Sequence, residues 1–185
     1  MLDEVYKETE QRMQKSLEAT EKEFSRIRTG RPSPTLLENL PVDVYDSKMP
    51  INQLASIAIQ QPRTLVVRPF DRTNVGAIDK AIRTSDLGLN PHNDGKNIMV
   101  EIPPLSEERR KELVKVVRKK AEEGKVAIRN IRRDARDEVE LMEKEKEISE
   151  DDMKKGHDRI QELTDEYTEK TDGSLKRKEE EIINF

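Results

Sequence analysis

Lys111, Lys115, Arg118, Glu122, Lys125, Arg129, Arg132 and Arg136 recur at steps of four and three residues. On a helix that spacing sets side chains in one row. Every member but Glu122 is a cation, and the row runs about 35–40 Å at 1.5 Å per residue. Between Lys125 and Arg133 there are four cations (Lys125, Arg129, Arg132 and Arg133) and no carboxylate. Arginine dominates this cluster, and its planar fork can grip a phosphate at two points where lysine offers only a point charge. The chemistry on offer is anion recognition, and a tract of this length suits a nucleic-acid backbone. The plainer alternative is a solvated helix face laced with i,i+4 ion pairs, which weighs against any charged helix. Two further arginines, Arg28 and Arg31, flank Gly30 in "IRTGRPSPTLL" (27–37), where a long charged helical stretch stops.

Other chemistries find little support. There is no cysteine, hence no disulfide framework, zinc-finger spacing or thiol nucleophile. His92 and His157 are far apart, one expected in a loop and one on a helix, so neither a metal site nor a general base stands out. "GRPSP" lacks the repeated glycines and the GK[ST] of a phosphate loop. No Ser/His/Asp spacing appears, and the abundant carboxylates lie on charged helical stretches where they solvate. The chain reads as a non-enzyme with no cofactor. Of its three Tyr and three Phe, five fall on expected core seams or in strands. With no stacking platform for splayed bases, structured RNA or duplex read by backbone and shape is the expected ligand.

Charged residues make up 40% of the 185 and aromatics 3%, which favours long exposed helices over thin cores. The net charge of −4 hides an asymmetry. Residues 105–136 carry 12 Lys/Arg against 6 Asp/Glu, whereas 137–185 carry 9 against 18. No apolar run approaches the roughly 20 residues that cross a bilayer. The acidic start, Met1-Leu2-Asp3-Glu4, resembles neither signal nor transit peptide. A soluble, cytoplasmic monomer is expected, with no membrane partner.

The basic row needs a rigid support, and the elements follow from periodicity. Tyr6, Met13, Leu17, Thr20, Phe24 and Ile27 keep the rhythm of a helix over 2–29 buried along one seam. Gly30 is placed as its left-handed C′ residue, and Pro32 and Pro34 forbid continuation. Residues 31–104 read as a small α/β domain. It has strands at 42–45, 55–60, 64–70 and 97–102, a helix over 74–88 ended by Gly88, and a hairpin-turn signal at 93–95. After Pro103-Pro104, Ser106 is the N-cap candidate of a second long helix. Its seam is Leu113, Val117, Ala121, Gly124, Ile128, Ile131, Ala135, Val139 and Met142. The basic row is expected on nearly the opposite face. Ser149 with Asp152 caps a third helix, with Met153, Ile160, Leu163, Tyr167, Leu175 and Ile182 on its seam.

Helices with one apolar seam each are unstable alone and bury their seams against each other. The expected fold is therefore α+β: a long three-helix bundle (1–29 plus 106–185) with an inserted small α/β domain (31–104). The chain crosses between domains twice, at 30–34 and 102–105. Gly30, Pro32, Pro34, Pro103 and Pro104 limit the rotatable bonds there and suggest a hinge of restricted range.

"IRTGRPSPTLL", "FDR" (70–72), "KAI" with "SDLGLNP" (80–91), "PPLSEERRK" (103–111), "IRNIRRDARDEVE" (128–140) and "KEISEDD" (146–152) together resemble the ribosome recycling factor family, in order and over the whole chain. The resemblance implies an L-shaped molecule that binds the ribosome after termination. With elongation factor G and GTP it would split the subunits and free messenger RNA and transfer RNA. It also implies that the bundle contacts large-subunit ribosomal RNA through Arg28, Arg31, Arg110, Arg129, Arg132 and Arg133, while the elongation factor works against the smaller domain. Pro32 stands where the family commonly has a small residue such as Ala, and Arg136 where Asn is common. The competing expectation is a helical adapter whose partners are proteins, with an acidic helix meeting the basic row.

Overall fold

The computed structural model describes residues 1–60 and 62–184. They divide into two compact units, one formed by Met1–Thr29 with Ser106–Asn184 and the other by Gly30–Leu105.

In the first unit, α1 (Leu2–Arg26) buries Val5, Thr9, Met13, Leu17, Thr20 and Phe24 along one face. Tyr6, expected on that seam, is half-buried beside Val5. Ile27 lies past the last turn with extended backbone (φ −83°, ψ 116°) and ends the helix itself. Gly30 is left-handed at φ 73°, but it sits three residues beyond this cap instead of at C′. The extended turn carries Thr29 into the bundle, where its hydroxyl donates to Glu181 at 2.8 Å.

The second unit opens with a single helical turn, α2 (Thr35–Glu38). A hairpin of β1 (Pro41–Val44) and β2 (Ser47–Pro50) follows. Its two-residue turn uses Tyr45 (φ 51°) and Asp46 (φ 57°), non-glycine residues where a primed turn requires positive φ. The sequence carries no Asn-Gly or Asp-Gly there, which is why β2 is not read from it. Another single turn, α3 (Ile51–Leu54), leads into β3 (Ala55–Gln60) and β4 (Thr64–Pro69). A 3-10 turn at Arg72–Asn74 precedes α4 (Val75–Arg83), then come β5 (Pro91–Asn93) and β6 (Ile98–Glu101). The antiparallel sheet runs β3-β4-β6-β5. Leu65, Val67, Ile98 and Val100 share a core with Val75, Ile78 and Ile82 of α4. That helix ends at Arg83, five residues before Gly88. The hydroxyls of Thr84 and Ser85 donate to the Lys80 and Ile82 carbonyls and satisfy its last turn early.

Returning to the first unit, Ser106 caps α5 (Glu107–Lys144) by accepting from the Arg109 amide at 3.2 Å. The seam from Leu113 to Val139 is buried as spaced, and Met142 is half-buried at its end. The helix stops in a Schellman arrangement. The Glu147 amide bonds the Met142 carbonyl, the Lys146 amide bonds that of Glu143, and Lys146 is left-handed at φ 62°. A capping box then starts α6 (Glu150–Asn184): the Ser149 hydroxyl donates to Asp152 at 2.6 Å, and the Asp152 amide donates back at 3.1 Å. Those Ser149 bonds hold the Asp152 carboxyl below its usual range.

The bundle core joins Met13 and Leu17 to Ile128, Ile131, Leu163 and Tyr167. On α6, Thr171 and Ser174 are buried where Leu175 was expected, and Leu175 is half-buried. Both hydroxyls are satisfied, Thr171 by the Tyr167 carbonyl and Ser174 by the Glu21 carboxylate, so burial costs them little. Gly124 permits a close approach of α1 to α5: a Cβ there would lie 2.3 Å from the Thr20 hydroxyl.

Candidate nucleic-acid interface

The α5 helix has a buried row from Leu113 to Val139, and every other side chain on it has a calculable bearing. At 100° per residue, the row Lys111–Arg136 centres about 110° from the buried row. It therefore lies on a flank and not on the opposite face. Over most of its length it follows the seam by one residue (Val117 to Arg118, Gly124 to Lys125, Ile131 to Arg132), not by two.

That flank meets α6, and the contacts follow. Arg118 pairs with Glu179, whose carboxylate raises the guanidinium's affinity for its proton. Lys125 is half-buried, 2.9 Å from Asp172 and 3.7 Å from Glu122. Arg132 is half-buried and donates to the Gln161 side chain at 3.4 Å. Arg136 lies 3.5 Å from His157 Nδ1. The His157 Nε2 is buried without a hydrogen-bond partner, 3.6 Å from Glu140. Arg129 folds back along α5 onto Glu122 at 2.7 Å, and this bond, more than any other contact, depresses the Glu122 carboxyl.

The face pointing away from the core shares only Lys115 with that row. Lys115, Lys119, Val126 and Arg133 stand within about 20° of the direction opposite the buried row. All four are exposed. Among the described residues the side chains of Lys115, Lys119 and Arg133 make no hydrogen bond or ion pair. Lys119 was absent from the row read off the sequence. Counting 200° from Val117 would have found it.

The remaining candidates are dispersed. Arg110 is half-buried near the start of α5 and donates to the Ile183 carbonyl, linking the start of α5 to the end of α6. It stands about 35 Å along α5 from Arg133. Arg28 is exposed just past α1. Thr29 bonds Glu181, so Arg28 belongs to the same end of the bundle as Arg110. Arg31 is exposed and lies in the other unit. At the two crossings, Pro32 is buried, Pro34 is the N-cap of α2, and Pro103 and Pro104 are exposed. Ile102 is anchored in its own unit by donating to the Arg63 carbonyl at 2.8 Å. His92 is exposed on β5, and among the described residues no acidic or histidine cluster could hold a metal ion.

Two aromatics fall one residue outside the strands expected to hold them. Tyr45 is 67% exposed in the hairpin turn, and Phe70 is 71% exposed just after β4. The Tyr45 hydroxyl is 3.3 Å from Asp71 and accepts from the Asn74 amide at 3.2 Å. Neither belongs to the unit that carries the cations. No helix among the described residues is long and apolar enough to cross a membrane.

A three-helix bundle with one cationic helix, interrupted in sequence by a small α/β unit with an antiparallel sheet, defines a class of two-unit helical factor. A sequence model described as Ribosome recycling factor matches residues 20–183, and the chain belongs to the ribosome recycling factor family. It is 53% identical to the ribosome-recycling factor of Carboxydothermus hydrogenoformans, with all of both chains covered. It is 52% identical to that of Oleidesulfovibrio alaskensis, over 98% of this chain and 99% of the other. A solution structure of the ribosome recycling factor superposes with a TM-score of 0.69 at 41% identity, covering 100% of this chain and 98% of that one. A second similar structure comes from models of the T. thermophilus ribosome recycling factor and the E. coli elongation factor G bound to the E. coli post-termination complex. Its TM-score is 0.62 at 50% identity, with 98% of each chain covered.

Proposed function

We propose that this chain recycles ribosomes after translation termination, binding the post-termination ribosome and acting with elongation factor G and GTP to split its subunits. The observation that carries this reading is the full-length match to ribosome-recycling factors, one of them bound with elongation factor G to the post-termination complex. No bond-making is asked of the chain. It is a translation factor and not an enzyme, and the GTP-driven partner supplies the work. It acts in the cytoplasm, where its ribosomes are.

The bundle is the anchor. Backbone phosphates of large-subunit ribosomal RNA meet Lys125, Arg129, Arg132 and Arg133 on α5, with Arg110 and Arg28 contributing at the other end of the bundle and Arg31 from the inserted unit. Support comes from the supply of cations on α5 and from its rigidity, since Ile128 and Ile131 are buried between the candidate residues. A side chain presented from packed backbone loses less freedom on binding. The inserted unit is the lever on which the elongation factor acts. Gly30, Pro32, Pro34, Pro103 and Pro104 at the crossings limit its travel. The adapter reading loses ground because the relatives named for ribosome recycling match over the whole chain.

Subunit splitting measured by light scattering tests this. With elongation factor G and GTP, the chain should lower the scattering of post-termination ribosomes, and either factor alone should not. No loss of scattering with both present would rule the proposal out.

A further inference from the structure

Glu122 is the only carboxylate in a row of cations, at mid-length of α5. It is exposed, and it holds Arg129 at 2.7 Å and Lys125 at 3.7 Å. The Arg129 pairing is unusual in reach. It spans seven residues, about 10 Å along the axis, instead of the three or four of an ordinary helical pair. Arg129 therefore lies folded along the helix surface, its fork turned to an anion of its own chain.

We propose that Glu122 is a built-in stand-in for phosphate: its carboxylate holds the Arg129 guanidinium in the free protein, and a backbone phosphate of the ribosomal RNA displaces it. The inference rests on the RNA-anchoring reading above. The two anions offer the guanidinium the same chemistry, paired oxygens on a planar or tetrahedral centre, so one can replace the other at one fork. The hold is reversible because the pair is exposed. Pairs of this kind are worth little in water, no more than about five-fold in an equilibrium. Lys125 does not depend on Glu122 alone, because Asp172 also lies 2.9 Å from it on the α6 side. The exchange thus swings one arginine outward, toward the exposed face where Lys115, Lys119 and Arg133 already stand unpaired among the described residues. In the absence of RNA the same carboxylate lowers the charge of the tract and weakens its hold on other polyanions.

The test is a double-mutant cycle of Glu122→Gln and Arg129→Ala, read by co-sedimentation of the full chain with vacant ribosomes over a salt series. Glu122→Gln should bind about three- to five-fold tighter at low salt. Its slope of log affinity against log salt should stay unchanged, because Arg129 meets the same phosphate with or without Glu122. In the Arg129→Ala background that gain should disappear. Glu122→Ala serves as a second variant, because glutamine retains an oxygen that can still accept from Arg129. Weaker or unchanged binding in both Glu122 variants overturns the proposal. So does an equal gain with and without Arg129, which would mark a general charge effect. If the unmodified chain itself fails to bind ribosomes, or binds with no salt dependence, the anchoring reading falls instead.

Discussion

Among the described residues Arg132 makes one side-chain hydrogen bond, at 3.4 Å to Gln161, and Gln161 also bonds Asp165 at 2.8 Å. Truncating Arg132 therefore leaves no buried polar group stranded. Arg132→Ala should change stability by no more than about 0.5 kcal/mol, read by thermal melting. It should weaken ribosome binding by about 1.5–3 kcal/mol, the scale of a bond to a charged group. Arg132→Lys should recover only part of this, because a point charge cannot grip two oxygens of one phosphate. Arg132→Ala that binds ribosomes like the unmodified chain would return α5 to an ordinary solvated face. At this scale the residue types were legible, since arginine density without carboxylates is a local pattern. The pairings were not. Arg118 with Glu179 and Lys125 with Asp172 join residues on two helices. Their meeting depends on the register of α5 against α6, which no local spacing encodes.

The α5 helix is held to α1 at Gly124, whose absent side chain lets Thr20 approach. Gly124→Ala would gain about 1 kcal/mol of helix propensity. It would also drive a methyl into the Thr20 hydroxyl, and overpacking of that kind costs about 1–3 kcal/mol. A net destabilisation of up to about 2 kcal/mol is expected in chemical denaturation, with Thr20→Ala recovering part of it in the double variant. A stabilised Gly124→Ala would contradict the close approach. The long helices were readable because their apolar positions recur over many turns, and both caps, Ser106 and the Ser149–Asp152 pair, carry sequence signatures. The bearing of the basic row was misjudged because both rows step by four and three. Spacing then fixes direction along the helix but leaves phase to be computed, and one residue of offset is about 100°. The stop of α5 at Lys144 was readable from the break in its seam and the fresh cap at Ser149, although Lys146, not glycine, takes the left-handed position. Short elements of the inserted unit escaped detection. The Tyr45-Asp46 turn lacks the usual turn residues, and single helical turns have no period to detect.

The division into two units follows from chemistry visible in the chain: helical seams on both sides of a β-branched stretch, with prolines at each crossing. If the bundle is self-sufficient, a variant lacking residues 31–104, with residues 30 and 105 joined by a short Gly/Ser linker, should keep high helicity and melt cooperatively by circular dichroism. An unfolded product would mean that the inserted unit supports the bundle core. The molecule carries a net charge of −4, yet it is proposed to bind a polyanion chiefly through one helix. Its affinity must then come from local charge released from counterions, and salt is the variable that exposes it. The most direct measurement is the salt dependence of co-sedimentation of the unmodified chain with ribosomes. Neutralising about five phosphates predicts that log affinity falls against log salt with a slope of roughly −4. A slope near zero would contradict electrostatic anchoring by the bundle.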